Sequence, residues 1–236
     1  YDELGRGLQA QGDNIKGGVE ISSTQYHFDG RVLSTSQTHN GTGTPFTNFN
    51  ILTKFKFDKI GRLVGIGKKL NSSNRNYITS PNVPTAQEDD DAGYKITAAY
   101  KYNELNRMVK KTLSPGYNNN QGLETIDYSY NMRGWLTGIN KDYALGEYNS
   151  DQWQHFFGMY LGYDNRDGKF ANARLDGNLT GVLWKSQGDN TPRKYDYDYD
   201  NAGRFTKANF NQRGSSSEGW NKTTVDFSTK DITYDE

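Results

Sequence analysis

Tyr195-Asp196-Tyr197-Asp198-Tyr199-Asp200-Asn201-Ala202-Gly203-Arg204-Phe205 holds the two signals that decide the fold. Tyr and Asp alternate up to Asp200, which is the period of a strand with every Tyr on one face and every Asp on the other. The alternation then stops at a turn signature. An Asp opens a turn because its side chain can bond the backbone two residues on. A Gly three residues later accepts positive φ at no steric cost. The spacing predicts a type I turn closed by a left-handed residue, a common hairpin connection. Tyr199, before the turn, and Phe205, after the Arg, are then placed for a cross-strand pair.

The same signature recurs along the chain, as Tyr1-Asp2-Glu3-Leu4-Gly5-Arg6, Phe57-Asp58-Lys59-Ile60-Gly61-Arg62-Leu63, Tyr102-Asn103-Glu104-Leu105-Asn106-Arg107-Met108 and Tyr130-Asn131-Met132-Arg133-Gly134-Trp135-Leu136. Tyr234-Asp235-Glu236 begins another copy. Looser copies are Phe28-Asp29-Gly30-Arg31-Val32 and Tyr163-Asp164, continuing through Gly168-Lys169-Phe170. Where Gly is missing, Asn106 stands in, and Asn is the next residue to tolerate that backbone region. The gaps between the aromatics are 27, 29, 45, 28, 33, 36 and 35 residues. The outlying gap contains the polar, Pro-bearing stretch 71–93, read as an insertion loop in an otherwise even array. The turn residues Asp58, Gly61, Arg62, Asn103, Asn106, Arg107, Asn131, Gly134, Trp135, Asp200, Gly203 and Arg204 are therefore the key positions, in a structural role. Further hairpin signals are Asn40-Gly41 and Asp176-Gly177. Ser114 to Asn120 reads as a polar connection between strands. Helical periodicity is nearly absent; Asp151 to Met159 is the one stretch expected to hold a short helix or turn.

Composition fits this picture. The 236 residues include 17 Tyr, 26 Gly, 5 Pro and no Cys, and only 33% are hydrophobic. That predicts burial by aromatic rings, which bring area and a polar tip, in place of a thick aliphatic core. Net charge is zero, which excludes a basic clamp on nucleic acid. No run reaches the ~18 apolar residues of a membrane-spanning helix. Without Cys there is neither a disulfide framework nor thiolate chemistry.

The repeated tyrosine-aspartate-x-x-glycine-arginine core resembles the YD repeats of RHS proteins, the group that includes the teneurin barrel and the shell of ABC toxin complexes. Ile126 to Asn140, Phe157-Gly158-Met159 and Asp176 to Lys185 resemble a bacterial cell-surface branch, often exported by the type IX pathway. The resemblance implies an all-β fold: an antiparallel ribbon of hairpins spiralling as part of a YD/RHS shell. It implies a secreted or surface location and a structural role, enclosing or presenting a polypeptide cargo such as a toxin. Expected partners are the remainder of the same RHS protein, an encapsulated cargo or the secretion machinery, with no nucleic acid, no membrane insertion and no cofactor. The whole chain, 1–236, reads as one repeat array and as a fragment of a larger protein. No Asp-Pro-x-Gly-Arg signature is present, so the self-cleavage of toxin-bearing members does not carry over.

Other chemistry has little to start from. Asp196, Asp198 and Asp200 imitate the head of a calcium loop, but Asn201 and Lys207 stand where Gly and Glu are needed. A solvated strand face explains them. Gly61 to Lys69 approximates a phosphate loop one residue too long, with Lys69 in place of Ser or Thr; strand-turn-strand explains it better. His27, His39 and His155 form no H-E-x-x-H pattern and have no G-x-S-x-G elbow beside them. The chain is read as no enzyme. The competing function is a glycan- or partner-binding adhesion module in which Trp135, Trp153, Trp184, Trp220 and exposed Tyr stack on a ligand. The favoured expectation is that these rings form ladders along the ribbon.

Overall fold

The computed structural model describes residues 1–42, 48–72, 93–147, 155–164, 167–214, 219–221 and 226–235. Among them, thirteen strands follow one another in chain order through an antiparallel, all-β arrangement. The chain divides into two compact units, Tyr1–Tyr102 with Lys111–Glu124, and Asn103–Lys110 with Thr125–Glu236. The stretch 73–92, most of the expected insertion loop, lies outside the described residues; Asn71 and Ser72 complete a strand.

Unit 1 contains β1 (Gln9–Asp13), β2 (Val19–Tyr26), β3 (Val32–Asn40), β4 (Phe49–Phe57), β5 (Leu63–Ser72) and β6 (Lys95–Tyr102). Each pairs with the next in antiparallel register. The strands are rich in Thr, Ser, Ile and Phe at alternating positions, a composition that suits a pleated sheet. They build no thick core, however. Every residue of β1 is exposed, and Ala98 is the only buried hydrophobic residue among those described in this unit.

β7 (Met108–Leu113) lies where the two units divide, with 108–110 in unit 2 and 111–113 in unit 1. The connection after it, 114–122, is held by bonds from Ser114 N–H to the Thr97 carbonyl and from Leu123 N–H to the Leu113 carbonyl. It is the polar link that the sequence predicts.

Unit 2 contains β8 (Glu124–Tyr130, from Thr125 onward), β9 (Leu136–Ile139), β10 (Phe157–Gly162), β11 (Gly181–Ser186), β12 (Arg193–Tyr199) and β13 (Phe205–Gln212). They too pair in chain order. The helix is misplaced in the sequence reading. It is α1 (Lys141–Leu145), and Phe157 to Met159 belong to β10; 151–154 lie outside the described residues. Five residues are too few for a 3.6-residue period to show. Packing holds the helix instead: Tyr143, Ala144 and Leu145 are buried. Gly158 leaves room for it, since a Cβ there would lie 2.9 Å from the Ala144 nitrogen.

This unit has a core of Ala144, Leu145, Tyr160, Phe170 and Leu183, with Trp220 against it. Phe170 comes from the β10–β11 connection, and its ring occupies the space above Gly162 and Gly181, which pair with each other. The last described segment runs along the outer edge of β13. Ala208 exchanges backbone bonds with Thr229 and Gln212 with Asn221. An open strand edge is an aggregation hazard, and here the chain's own tail covers it.

Candidate functional site: the rim of turns and its arginine ladder

The turn signatures fold as their chemistry dictates. Asp58 N–H donates to the Arg62 carbonyl at 2.9 Å, and Gly61 N–H donates to the Asp58 carbonyl at 3.0 Å. Asp2, Asn103, Asn131 and Asp200 open turns with the same two bonds. The closing residues all have positive φ, including +90° at Gly61, +62° at Asn106, +87° at Gly134 and +77° at Gly203. The aromatic before each turn faces the residue after the Arg: Phe57 pairs with Leu63, Tyr130 with Leu136 and Tyr199 with Phe205, each beside a register shift. Such a shift is the bulge expected when a left-handed residue closes a type I turn.

The opening carboxylate has two jobs. Its Oδ1 accepts from backbone: at Asp58 from Ile60 N–H (3.1 Å) and Arg62 N–H (2.9 Å), and at Asp200 from Ala202 N–H (2.9 Å) and Arg204 N–H (2.8 Å). Its Oδ2 accepts from the Arg Nε, at 2.6 Å for Asp58–Arg62 and 2.7 Å for Asp200–Arg204. These bonds shift its titration. At Asp200 the Arg204 guanidinium, followed by the Arg204 N–H, holds the carboxyl below its ordinary range. At Asp58 partial desolvation pushes upward, but the N–H and guanidinium of Arg62 outweigh it and the net shift is downward. Bonding to the charged form is what lowers a carboxyl pKa.

Fixed in this way, each Arg reaches the neighbouring repeat. In unit 1, Arg6 lies 4.8 Å from the Tyr26 ring centre, Arg31 lies 4.9 Å from Phe57, and Arg62 lies 4.8 Å from Tyr102. In unit 2, Arg107 faces Tyr130, Arg174 faces Tyr199 and Arg204 faces Tyr234. Each is a cation over an aromatic face. The tyrosine hydroxyl then ties back to the earlier turn, donating to the carbonyl just after the Arg or its substitute: Tyr26 to Gly7, Tyr102 to Leu63, Tyr130 to Met108, Tyr163 to Leu136, Tyr199 to Leu179 and Tyr234 to Phe205. Phe57 alone among these aromatics lacks the hydroxyl. The turn glycine is also the seat of the arriving guanidinium. A Cβ on Gly61 would lie 2.8 Å from Arg31 Nη1, and one on Gly134 would lie 2.5 Å from Arg107 Nη2.

The exceptions follow the same physics. Among the ladder turns, the two opened by Asn, at Asn103 and Asn131, do without a tight carboxylate–arginine lock. Asn103 accepts from Arg107 N–H but offers no anion, and Arg107 sits 5.8 Å from its ring, further than the locked arginines. Asn131 accepts from the N–H of Trp135, whose side chain carries no charge, and Arg133 lies over the Trp135 ring at 5.1 Å. Trp135 takes the ladder position with its ring, 5.1 Å from Tyr163 and against Gly177.

Three turns differ from the sequence reading. In the second repeat the aromatic is Tyr26, not Phe28. His27 stands at the Asp position, since its N–H donates to the Arg31 carbonyl and its carbonyl accepts from Gly30. Asp29 supplies the anion from the third position instead, accepting from Arg31 N–H and pairing with the guanidinium. In the Tyr163 repeat the turn that completes the ladder is 174–178, not Gly168-Lys169: Asn178 N–H donates to Asp176, and Asn178 Nδ2 donates to the Gly203 carbonyl. Residues 165 and 166 of that copy lie outside the described set. The β1–β2 turn was missed. Asn14 N–H donates to the Gly18 carbonyl and Gly17 N–H to the Asn14 carbonyl, while Asn14 Oδ1 accepts from Lys16 and Gly18. Its Asn-x-x-Gly spacing was visible, but neither an aromatic nor an Arg flanks it.

The Asp face of β12 is not solvated as expected. Asp196 is buried; its Oδ2 lies 3.1 Å from Lys194 Nζ, and its carboxylate also accepts from Ala171 N–H at 2.9 Å and from Asn211 at 3.3 Å. Asp198 accepts from Asn172 at 2.5 Å and from Asn209 at 3.3 Å. These acids anchor the 167–180 connection to the sheet, a long-range contact with no local signature. No group of three or more potential metal ligands comes together among the described residues. Gly61 to Lys69 is a turn followed by β5, without the helix that a phosphate loop requires.

The aromatics form ladders. Trp184 stacks on Tyr195 at 5.6 Å and approaches Phe210. Tyr195 stacks on Tyr197, and Phe205 lies edge-on to Tyr197 and Tyr199. Trp220 faces the cations of Lys194 and Arg213. Trp153 lies outside the described residues. Of the histidines, His39 stacks on Phe49 and lies 3.0 Å from Glu20, while His155 tilts against Tyr143. A hollow of about 450 Å³ is a dish on the β1–β4 sheet that includes Glu20, Gln37, His39 and Phe49.

No protein-family model and no curated protein matches the chain. Among solved structures it is similar to a porin-like protein from Bacteroides uniformis ATCC 8492, at 12% identity and a TM-score of 0.26, over 89% of this chain and 88% of that one. No described helix is long and apolar enough to cross a membrane.

Proposed function

We propose that the chain is a structural segment of a β-shell in a secreted or surface-exposed bacterial RHS protein, which encloses or presents a polypeptide and does no chemistry itself. The observation that carries this reading is the arginine–aromatic ladder, which makes each hairpin a docking seat for the next. An array of that kind suits a wall built by adding units, each stabilised mainly by its neighbours. Export by the type IX pathway is part of the same proposal.

The adhesion reading has less support. The rings that would stack on a sugar are already engaged, Trp135 with Tyr163, Trp184 with Tyr195 and Trp220 with two cations.

The test is limited proteolysis of the parent polypeptide. A segment enclosed by the shell survives in the wild type and is digested in a Gly61→Val, Gly134→Val variant. A parent in which no segment outside the repeats is protected ends the shell reading. Binding on a glycan array that Trp135→Ala or Trp184→Ala abolishes would favour the adhesion module.

A further inference from the structure

No ladder contact uses the dish on β1–β4, and what it can hold is independent of the shell reading. Two rows of side chains cross the strands there. Gly12, Glu20, His39 and Phe49 lie in register from β1 to β4, and Ala10, Ser22, Gln37 and Ile51 form the next row. All eight line the hollow. The middle of the dish is polar. Glu20, Ser22, Gln37 and His39 take the corners of a rectangle about 4.8 Å across the strands and about 6.8 Å along them, the scale of a single sugar ring. Glu20 Oε1 lies 3.0 Å from His39 Nδ1. Among the described residues, nothing else bonds the Glu20 carboxylate, the His39 Nε2, the Gln37 side-chain amide or the Ser22 hydroxyl. One flank is apolar, with Phe49 stacked on His39 and Ile51 beside Gln37. The other flank is low, because Ala10 and Gly12 are small. A Cβ on Gly12 would meet nothing within 4 Å.

This lining suits one class of ligand. An anion finds no Lys or Arg among the lining residues and meets the Glu20 carboxylate instead. Asp13 also borders the dish, but it pairs with Val19 on the opposite pleat. An apolar ligand would take four polar groups out of water without pairing them, which costs more than leaving them wet. A cation would meet one carboxylate, on a side chain 64% exposed, where water weakens the attraction. A neutral polyhydroxylated ring meets none of these objections. Its hydroxyls can donate to Glu20 and exchange bonds with Gln37 and Ser22, which both donate and accept. Its C–H face can lie against Phe49 and Ile51. A few convergent polar groups beside an apolar wall, in a hollow of this size, is the usual make-up of a small-ligand site.

We propose that the dish binds a neutral hexose unit of a glycan, held by Glu20, Gln37 and Ser22 against Phe49 and Ile51. The test is binding of the 236-residue chain to an array of neutral and charged glycans, with titration of the strongest neutral binder in 0.1 and 0.5 M salt. Neutral glycans should bind, with an affinity that salt changes less than twofold. Gly12→Leu puts a side chain into the open flank, and Gln37→Ala removes an exposed amide. Each should weaken binding fivefold or more with an unchanged β circular dichroism spectrum, and Gln37→Ala decides if Gly12→Leu disturbs that spectrum. Trp135→Ala and Trp184→Ala should stay within twofold of the wild type. The proposal is overturned by an array on which no neutral glycan binds, or by binding that survives either dish substitution in a folded variant. Binding that 0.5 M salt abolishes overturns it too, since the ligand would then be held by charge. So does binding that a folded Trp135→Ala or Trp184→Ala variant loses, which would place the sugar in unit 2.

Discussion

Unit 1 and unit 2 use the same turns and the same ladder, yet they bury different amounts of apolar surface. Unit 1 has one buried hydrophobic residue among those described, the small Ala98; unit 2 buries Tyr143, Leu145, Tyr160, Phe170, Leu183 and Phe210, among others. The difference comes from the connections. Unit 2 lays α1 and the 167–180 segment over its sheet, and the tail carrying Phe227 packs against Phe210. Among the described residues of unit 1, the strands turn back on themselves with short loops that cover nothing. Among the described residues, backbone pairing and rim contacts therefore hold the hairpins of unit 1, while in unit 2 a core is added by connections that fold back onto the sheet.

The largest break in that comparison should come from Phe210→Ala. A buried Phe→Ala change costs about 3–5 kcal/mol. All four Trp lie in unit 2, so the loss should appear as an earlier transition in Trp fluorescence on denaturant unfolding. An unchanged fluorescence midpoint would show that the unit 2 core does not set its stability. Gly61→Val attacks unit 1 instead. It forces a branched side chain into positive φ and onto the Arg31 guanidinium, and strained backbone of this kind costs about 1–3 kcal/mol. Circular dichroism should show an earlier transition while Trp fluorescence holds.

Acid should act on both units and separate them. The turn carboxylates Asp2, Asp29 and Asp58 in unit 1, and Asp176 and Asp200 in unit 2, all titrate below their ordinary range; Asp189 is drawn down to about 2 by the Arg193 guanidinium. A carboxyl lowered in the folded state contributes stability that is complete above the unfolded value, near 3.9, and is lost as pH falls through the folded value. Stability should hold down to about pH 4 and decline below it, with unit 1, which has little core, melting first. A chain equally stable at pH 2 and pH 6 would remove the carboxylate locks from the account.

The smallest effect is a gain. Phe57→Tyr restores the hydroxyl that the other ladder aromatics use, aimed at the carbonyl of Val32, the residue after Arg31. One added hydrogen bond contributes about 0.5–1.5 kcal/mol. A higher unit 1 midpoint is expected, and a lower one would mean that the seat does not admit the hydroxyl.

These contrasts mark what the sequence could and could not convey. The turns were legible because an Asx residue and a Gly three positions later act on their own backbone. The aromatic-to-Leu63, Leu136 and Phe205 pairs followed from that spacing. The Tyr26 register is hidden in the sequence, because Asp29-Gly30 carries the hairpin signal while His27, whose side chain is not a carboxylate, opens the turn. The ladder itself was hidden because Arg62 and Tyr102 are separated by a loop whose length carries no information about their contact. One clue was present, however: Asp precedes Arg at three turns, and Asn precedes Trp at Asn131. The burial of Asp196 does not show locally: Lys194, two residues back, is its ion-pair partner, but Ala171 and Asn211 lie on different segments.

The ladder also has a direction. Each ladder guanidinium is set by an earlier turn, and the aromatic ring it faces comes from a later strand: Arg6 waits for Tyr26, Arg31 for Phe57 and Arg107 for Tyr130. A polypeptide threaded out N-terminus first meets each receptacle already formed, so the array can close like a zip behind the emerging chain, with no need for the far end to arrive before the near end is secure.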